Sequence, residues 1–304
     1  MSTAYVFPGQ GSQFVGMGAE LSRLRPVARG IFSRADTALG FDLTQLCFEG
    51  PEAELGATYN TQPAIFTHSI AAWETIQLSG EIEAPAFVAG HSLGELSALC
   101  AAGALSFEDG VRLVRERGRL MKLAGERAPG SMAAVLGMDA AALREVCEQA
   151  SAQVAALGAP PVVLANDNCP GQIVISGGKE AVAAAGVLAK QRGAKRVAPL
   201  PVSIAAHSPL MSSIADEFAA AVNATAFSIA RVPVIANTTA LPITHPDDLR
   251  AELCAQLTSP VRWTDSVKLM AAQGVVSYVE VGPKDVLCSL IKRITPGAET
   301  RAIG

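Results

Sequence analysis

The sequence predicts an α/β protein: a parallel sheet with helices on both faces, plus a small inserted β-α-β-β-α-β module. Three observations carry that prediction. Short β-rich runs alternate with Ala- and Leu-rich helical stretches from end to end, the rhythm of parallel strands joined by helical crossovers. Between about 128 and 202 the rhythm changes to two similar strand-turn-helix units in tandem, the split βαβ pattern of a ferredoxin-like module. After Pro201 the longer rhythm resumes, so the large domain is discontinuous, 1–127 and 203–304, around a small domain at 128–202.

Taken in order, Thr3 to Phe7 reads as a first strand, stopped by Pro8-Gly9. Residues 63–79 read as a helix, Pro85 to Gly90 as a buried strand, and Leu93 to Ala102 as the helix that follows at once. Phe107 to Ala124 is a further helix, with Glu108 and Asp109 near its positive end. The insert predicts strands at 132–136, 161–165, 173–176 and 196–200, with helices at 140–150 and 179–192. Beyond it come a helix from Pro209, a strand at 233–236, helices after Asp247 and at 266–272, and a strand at 277–281.

Composition narrows the function. In 304 residues, half are hydrophobic and 17% charged, with a net charge of −4, which excludes a disordered chain and a basic nucleic-acid reader. No apolar run approaches the ~20 residues of a membrane span, and the start lacks a basic n-region with an apolar h-region, which predicts a cytoplasmic protein. The six cysteines are scattered, without a CxxC pair or a neighbouring His, so they read as reduced, mostly buried small hydrophobes and not as a metal site.

The sharpest motif is Gly90-His91-Ser92-Leu93-Gly94-Glu95, between a predicted strand and a predicted helix. A serine there is forced onto a tight turn, glycines two residues either side remove Cβ atoms that would collide, and the Leu93 amide points where an oxyanion would form. The competing reading is a helix N-cap serine. A nucleophilic serine needs a base, and the chain offers four histidines. His68 sits inside a helical pattern, His91 would point away along the turn, and His245 lies in a Pro-flanked loop. His207 precedes Ser208-Pro209, a good N-cap and N1 pair, at a strand-to-helix edge where functional groups collect; the alternative is an exposed loop histidine.

Arg117 breaks its helix's pattern, falling amid Leu113, Val114, Leu120, Met121 and Ala124, whereas Arg112, Arg115, Arg119 and Lys122 fall on the wet sides. An inward guanidinium wants a carboxylate from the protein or from a ligand; a snorkelling side chain is the third possibility. The turn Phe7-Pro8-Gly9-Gln10-Gly11-Ser12-Gln13 fails as a dinucleotide loop, because Phe14 stands where a third glycine is needed. It serves better as a second wall of the oxyanion hole, with the Gln10 amide facing Leu93. Ser289 to Lys292 spells SxxK without companion motifs and reads as helix surface.

With these residues in hand, the chain resembles the malonyl-CoA:acyl-carrier-protein transacylases of fatty-acid synthesis or of trans-acting polyketide synthesis. The resemblance covers nearly the whole chain: FPGQGSQ at 7–13, TQPAIF at 61–66, GHSLGE at 90–95, VRLVRERG at 111–118, ANDNCPGQIVISG at 165–177, SIAAHSPLM at 203–211, QLTSPVRW at 256–263 and EVGPK at 280–284. It implies a hydrolase-like large domain with a ferredoxin-like insertion. It implies Ser92 as acyl nucleophile, His207 as general base and acid, and Arg117 as clamp for the malonyl carboxylate. The amides of Gln10 and Leu93 become the oxyanion hole, and the Gln256 main-chain carbonyl orients His207, which fills the place of the third triad member that residue reading alone does not supply.

The same resemblance implies malonyl-CoA and a holo acyl carrier protein as substrates, no metal or redox cofactor, no nucleic-acid or membrane partner, and a monomer. One departure stands out. The family usually carries serine or phenylalanine before the catalytic histidine, and here Ala205-Ala206 precede His207. Ala206 then leaves room beside the acyl pocket for an α-substituent unless Met121 fills it, so a methylmalonyl-tolerant transacylase is an alternative. A carrier-clearing acyl hydrolase is another, which an inward Arg117 opposes. An idle carrier-docking protein is a third, opposed by Ser92, His207 and Arg117 together. Lys190, Arg192, Lys195 and Arg196 form the candidate basic patch for an acidic carrier, with a solvated helix end as the other reading.

Overall fold

The computed structural model describes residues 2–80 and 82–304. Strand β1 (Ser2–Phe7) is followed by helices α1 (Ala19–Leu24), α2 (Pro26–Leu39), α3 (Leu43–Glu49) and α4 (Glu52–Leu55), then the long α5 (Thr58–Ser79). Next come β2 (Pro85–Gly90), α6 (Gly94–Ala101) and α7 (Phe107–Arg127). The middle of the chain forms β3 (Gly130–Leu136), α8 (Ala140–Ala155), β4 (Val162–Cys169), β5 (Gln172–Gly178), α9 (Lys179–Gln191) and β6 (Arg196–Pro199). A 3-10 turn at Pro209–Ile214 leads into α10 (Ala215–Ala224), β7 (Val234–Ile235), β8 (Pro242–Ile243) and α11 (Pro246–Gln256). The chain ends with α12 (Trp263–Ala272), β9 (Val275–Val281), α13 (Val286–Ile294) and β10 (Glu299–Ile303).

One sheet has the order β10-β9-β1-β2-β7-β8, parallel except for β8. Its central strand β1 is apolar on both sides, as a strand covered on both faces must be. Tyr5 and Phe7 pack edge-on against Trp73 of α5, with ring centroids 5.2 and 6.0 Å away. The alternate residues Ala4 and Val6 join a second core with Trp263, Tyr278 and Ile291. Phe7 pairs with Gly90 in register, so β1 and β2 end side by side, and the loops leaving them meet at the carboxyl edge where such sheets place their sites.

The second sheet is antiparallel, β4-β5-β3-β6, which is the strand order of a ferredoxin-like βαββαβ unit. Helices α8 and α9 bury Leu143, Val146, Val182 and Ala185 in its own aliphatic core. It is tied to the rest beside the site: Asn166 bridges to Val261, and Thr264 Oγ1 donates to Asp167 Oδ1 at 2.6 Å.

Four expectations need correction. The helix expected from residue 63 begins at Thr58, with Pro63 inside it. Proline lacks the N–H that would reach the Tyr59 carbonyl, and Arg115 supplies the missing donor, Nη1 to Tyr59 O at 2.7 Å. Arg115 is therefore not on a wet side; it is half-buried, with its guanidinium over the Phe41 and Tyr59 rings. The helix from Pro209 opens as a 3-10 turn, and α8 continues to Ala155. Helices α1 to α4, the short β8 and the edge strand β10 were not separated by the sequence pattern.

Candidate active site

The serine turn is shaped by backbone contact. A Cβ on Gly90 would lie 1.9 Å from the Gly94 carbonyl carbon, and one on Gly94 would lie 2.0 Å from the Phe7 oxygen, so only glycine permits this packing. Ser92, between them, is held at φ 53, a left-handed conformation a side chain rarely adopts. Asn237, just past β7, locks it: Oδ1 accepts from Ser92 N at 2.7 Å and Nδ2 donates to Gly90 O at 2.7 Å. His91 points away from the serine, as its place in the turn predicts, to Asn168 Oδ1 at 2.8 Å. The amides of Leu93 and Gln10 donate to no protein acceptor among the described residues. Gly9 abuts His91, where a Cβ would lie 2.5 Å from its carbonyl oxygen, so the loop bearing Gln10 is seated on the serine turn.

His207 also has a left-handed backbone, φ 57. Ser208 caps the following turn, accepting from Leu210 N and donating to Ala205 O. The imidazole is 2% exposed, with Nε2 2.7 Å from Ser92 Oγ and Nδ1 2.9 Å from Gln256 O and 3.1 Å from Ser259 O. Two carbonyl partners require the proton on Nδ1, so Nε2 is free to accept from the serine hydroxyl. Burial first, then the nearby Arg117 cation, push the His207 pKa down to about 3; the ring stays neutral at any ordinary pH.

Arg117 arrives from α7 because Gly118, next along, lets that helix lie against α5, where a Cβ would be 2.6 Å from Tyr59 Cα. The guanidinium is 1% exposed. Nη2 donates to Ser92 Oγ at 3.1 Å and Gln256 Oε1 at 2.8 Å, while Nη1 donates to Gln62 Oε1 at 3.0 Å and Met121 Sδ at 3.3 Å. Its Nε has no acceptor among the described residues. Burial lowers its pKa to about 10, so it remains a cation. Of the partners left open by the sequence, none is a protein carboxylate.

Ser92, His207, Arg117, Gln256 and Met121 are thus brought together, and Ala206 adjoins them, 7% exposed beside His207. Four polar residues of the network escaped sequence reasoning: Gln62, Asn237, Glu95, which accepts from Asn237 N and Gln256 Nε2, and Glu252, which accepts from Thr238 N. Gln62 and Glu95 lie within the blocks TQPAIF and GHSLGE and could have been flagged as polar side chains at helical positions with apolar neighbours. Asn237 and Glu252 carry no local signal. The other histidines stand apart from the serine: His68 is buried in α5, and His245 precedes α11 without a side-chain capping bond.

A serine on a strand-helix turn, bonded to a neutral histidine, with free amides and a buried guanidinium at the same hydroxyl, has the chemistry to attack an acyl group that carries an anion. Residues 4–300 match the acyl transferase domain family, and the chain belongs to that family. More particularly, it is 47% identical over 300 residues to the malonyl CoA-acyl carrier protein transacylase of Bacillus subtilis, covering 99% of this chain and 92% of the relative. Its identity to the Escherichia coli transacylase of the same name is also 47%, over 292 residues, 96% of this chain and 92% of the relative.

Solved structures agree. The acyl carrier protein S-malonyltransferase of Vibrio cholerae superposes with a TM-score of 0.95 at 43% identity, covering 100% of this chain and 97% of that one. A malonyl-transacylase solved in complex with its type II polyketide-synthase acyl-carrier protein gives 0.94 at 41% identity, over 99% of this chain and 96% of that one.

Proposed function

We propose that this protein transfers a malonyl group from malonyl-CoA to the phosphopantetheine thiol of an acyl carrier protein, in a ping-pong cycle through an ester on Ser92. The observation that carries this reading is the shared position of Ser92 Oγ, 2.7 Å from His207 Nε2 and 3.1 Å from Arg117 Nη2. One contact activates the hydroxyl; the other sets a receptor for a carboxylate within the short reach of a three-carbon diacid.

In the first half-reaction His207 Nε2 takes the serine proton as Oγ attacks the thioester carbonyl, and the oxyanion is met by the Gln10 and Leu93 amides. The C–S bond breaks, and coenzyme A leaves with the proton from Nε2. The second half-reaction reverses these steps with the carrier thiol as nucleophile. Gln256 O holds Nδ1–H, so the imidazole keeps one tautomer and one orientation. Arg117 favours the malonyl carboxylate and disfavours neutral acyl chains, which speaks against a general acyl hydrolase. No step calls for a metal or redox cofactor.

The same reading assigns the carrier contact to the exposed Lys190, Lys195 and Arg196, since Arg192 is already engaged by Glu145 and Gln149. It treats 128–202 as a small domain standing over a large one of 1–127 and 203–304, and the protein as a monomer. Ala206 and Met121 form the acyl wall, and the small side chain at 206 makes methylmalonyl the second acyl group this reading accepts unless Met121 fills the gap.

Intact mass after mixing with malonyl-, methylmalonyl- and acetyl-CoA tests the proposal. A persistent malonyl adduct that a holo carrier protein discharges is expected. An adduct that water removes at the same rate without carrier would make the protein a hydrolase, and no adduct at all would end the acyl-enzyme reading.

A further inference from the structure

Arg117 presents an electrostatic problem that the transfer reaction leaves open. A buried guanidinium is costly without a counter-charge, yet its four partners are two amide oxygens, a thioether and a hydroxyl. The nearest acid is Glu95 on α6, also 1% exposed. Between them stands the Gln256 side chain. Its Oε1 accepts from Arg117 Nη2 at 2.8 Å, and its Nε2 donates to Glu95 Oε2 and, at 3.0 Å, to Ser92 O. The amide cannot be reversed, because its oxygen would then face a carboxylate and a carbonyl. The other Glu95 oxygen accepts from Asn237 N at 3.0 Å.

A second carboxyl completes the cluster. Glu252 on α11 accepts from Thr238 N at 2.9 Å and from Thr238 Oγ1, and it lies against Glu95. The groups facing Glu95 are therefore Arg117 from α7, Gln256 and Glu252 from α11, and Asn237 from the segment after β7. Burial and the charge of Glu252 hold the Glu95 carboxyl well above the usual carboxylate range, and burial raises Glu252 as well.

We propose that the Glu95–Glu252 pair, sharing one negative charge, is the resident counter-charge of Arg117, with Glu95 a positioning residue acting through the Gln256 amide, and that an acyl carboxylate reaching Arg117 takes over that role, whereupon the pair takes up a proton. The inference rests on the proposed role of Arg117 as carboxylate clamp. Acylation itself exchanges no proton with solvent: the Ser92 proton passes through His207 to the departing thiolate, which stays protonated below its ordinary value of about 8.5. The uptake with malonyl-CoA in excess of that with acetyl-CoA therefore reports the carboxyl pair, because the phosphate groups of coenzyme A, whose second ionisation falls at about 6, are common to both esters. The sign follows: lowering the pH protonates the pair, removes the anion that competes for Arg117, and favours malonyl loading over acetyl.

The test follows acylation by malonyl-CoA and by acetyl-CoA in weakly buffered solution with a pH indicator, on wild type, Arg117→Ala, Glu95→Gln and Glu252→Gln. Arg117→Ala must lose the malonyl preference; if it does not, the clamp reading fails, independently of Glu95. Given the clamp, the wild type takes up a fraction of a proton more with malonyl-CoA than with acetyl-CoA. Glu95→Gln, which keeps an acceptor for Gln256 Nε2 and gives up the one for Asn237 N, abolishes that excess, lowers the KM for malonyl-CoA by about fivefold or more, and slows acetyl loading. Glu252→Gln acts oppositely, raising the KM for malonyl-CoA, because Glu95 is then more fully ionised. Absence of that excess in the wild type overturns the proposal. So does an equal rise in KM for both esters in Glu95→Gln, the mark of a merely structural residue; should that variant fail to fold, wild-type uptake and Glu252→Gln decide.

Discussion

The two sheets bury different chemistry. Under the four-stranded sheet the core is aliphatic, with Val135, Leu143, Val146, Ile175, Val182 and Ala185 all buried together. At the carboxyl edge of the six-stranded sheet the buried groups are polar: Glu95, Arg117, His207, Asn237 and Gln256 are each at most 2% exposed. An apolar core is non-directional and tolerates exchange of similar shapes. A buried polar network is worth having only if its donors and acceptors are matched, and then it fixes one geometry. The difference teaches where this molecule spends its precision, and it predicts that substitutions in the two places fail in different ways.

The largest effects belong to the polar edge. Ser92→Ala is expected to abolish acyl-enzyme formation, and His207→Ala to slow loading by a factor on the order of 10²–10⁴ with the fold intact. Intact mass and stopped-flow release of coenzyme A measure both; transfer by Ser92→Ala above about a hundredth of wild type would contradict the covalent route.

Arg117→Ala comes next. Loss of a desolvated bidentate pair raises the barrier for malonyl by roughly 2–5 kcal/mol, with far less effect on acetyl, so the preference inverts. The same change moves the pH profile. His207 sits at about 3, partly because of the Arg117 cation, so wild-type acetyl loading keeps its base down to pH 5; without that cation the histidine titrates higher, and the acid limb shifts upward. Equal loss on both esters with an unmoved profile would make Arg117 a structural residue.

The aliphatic region sharpens the contrast. Leu143→Ala, at a fully buried site, is expected to cost about 2–5 kcal/mol of stability while leaving the loading rate per folded molecule near wild type. Denaturant unfolding and loading rate read the two separately, and a parallel fall in rate would show that the small sheet shapes the site directly. The smallest effect is Ala206→Phe, which is expected to suppress methylmalonyl relative to malonyl by about 10–200-fold through a clash. Competition between the two esters measures it; an unchanged ratio would place the specificity wall elsewhere.

Much of this was legible beforehand. The turn at Ser92 declared itself through glycines whose absent Cβ atoms would lie about 2 Å from backbone, a constraint local enough to be written in six residues. Arg117 declared itself by interrupting an apolar stripe. The ferredoxin-like insert followed from its β-α-β-β-α-β order. Helices α1, α3 and α4 were missed because they are short and owe their stability to packing more than to periodicity, whereas α2 did carry a signal, with Pro26 at its start and Ala28, Ile31, Phe32 and Ala35 at helical spacing. The start of α5 was missed because a proline is a helix boundary in sequence, whereas here a guanidinium from α7 replaces its lost hydrogen bond.

By itself, then, the sequence determined the strand-helix rhythm, the β-α-β-β-α-β segment, the strained serine turn and the inward cation, all of which arise from neighbours along the chain. Tertiary structure alone decided that the cation would meet an amide and not a carboxylate, that Asn237 would lock a serine 145 positions away, and that Glu95 and Glu252 would share one buried site. Hydrogen bonds and charges act over a few ångströms of space and take no account of sequence separation, so pairings between distant segments exist only once the sheet has set its register and the helices have docked.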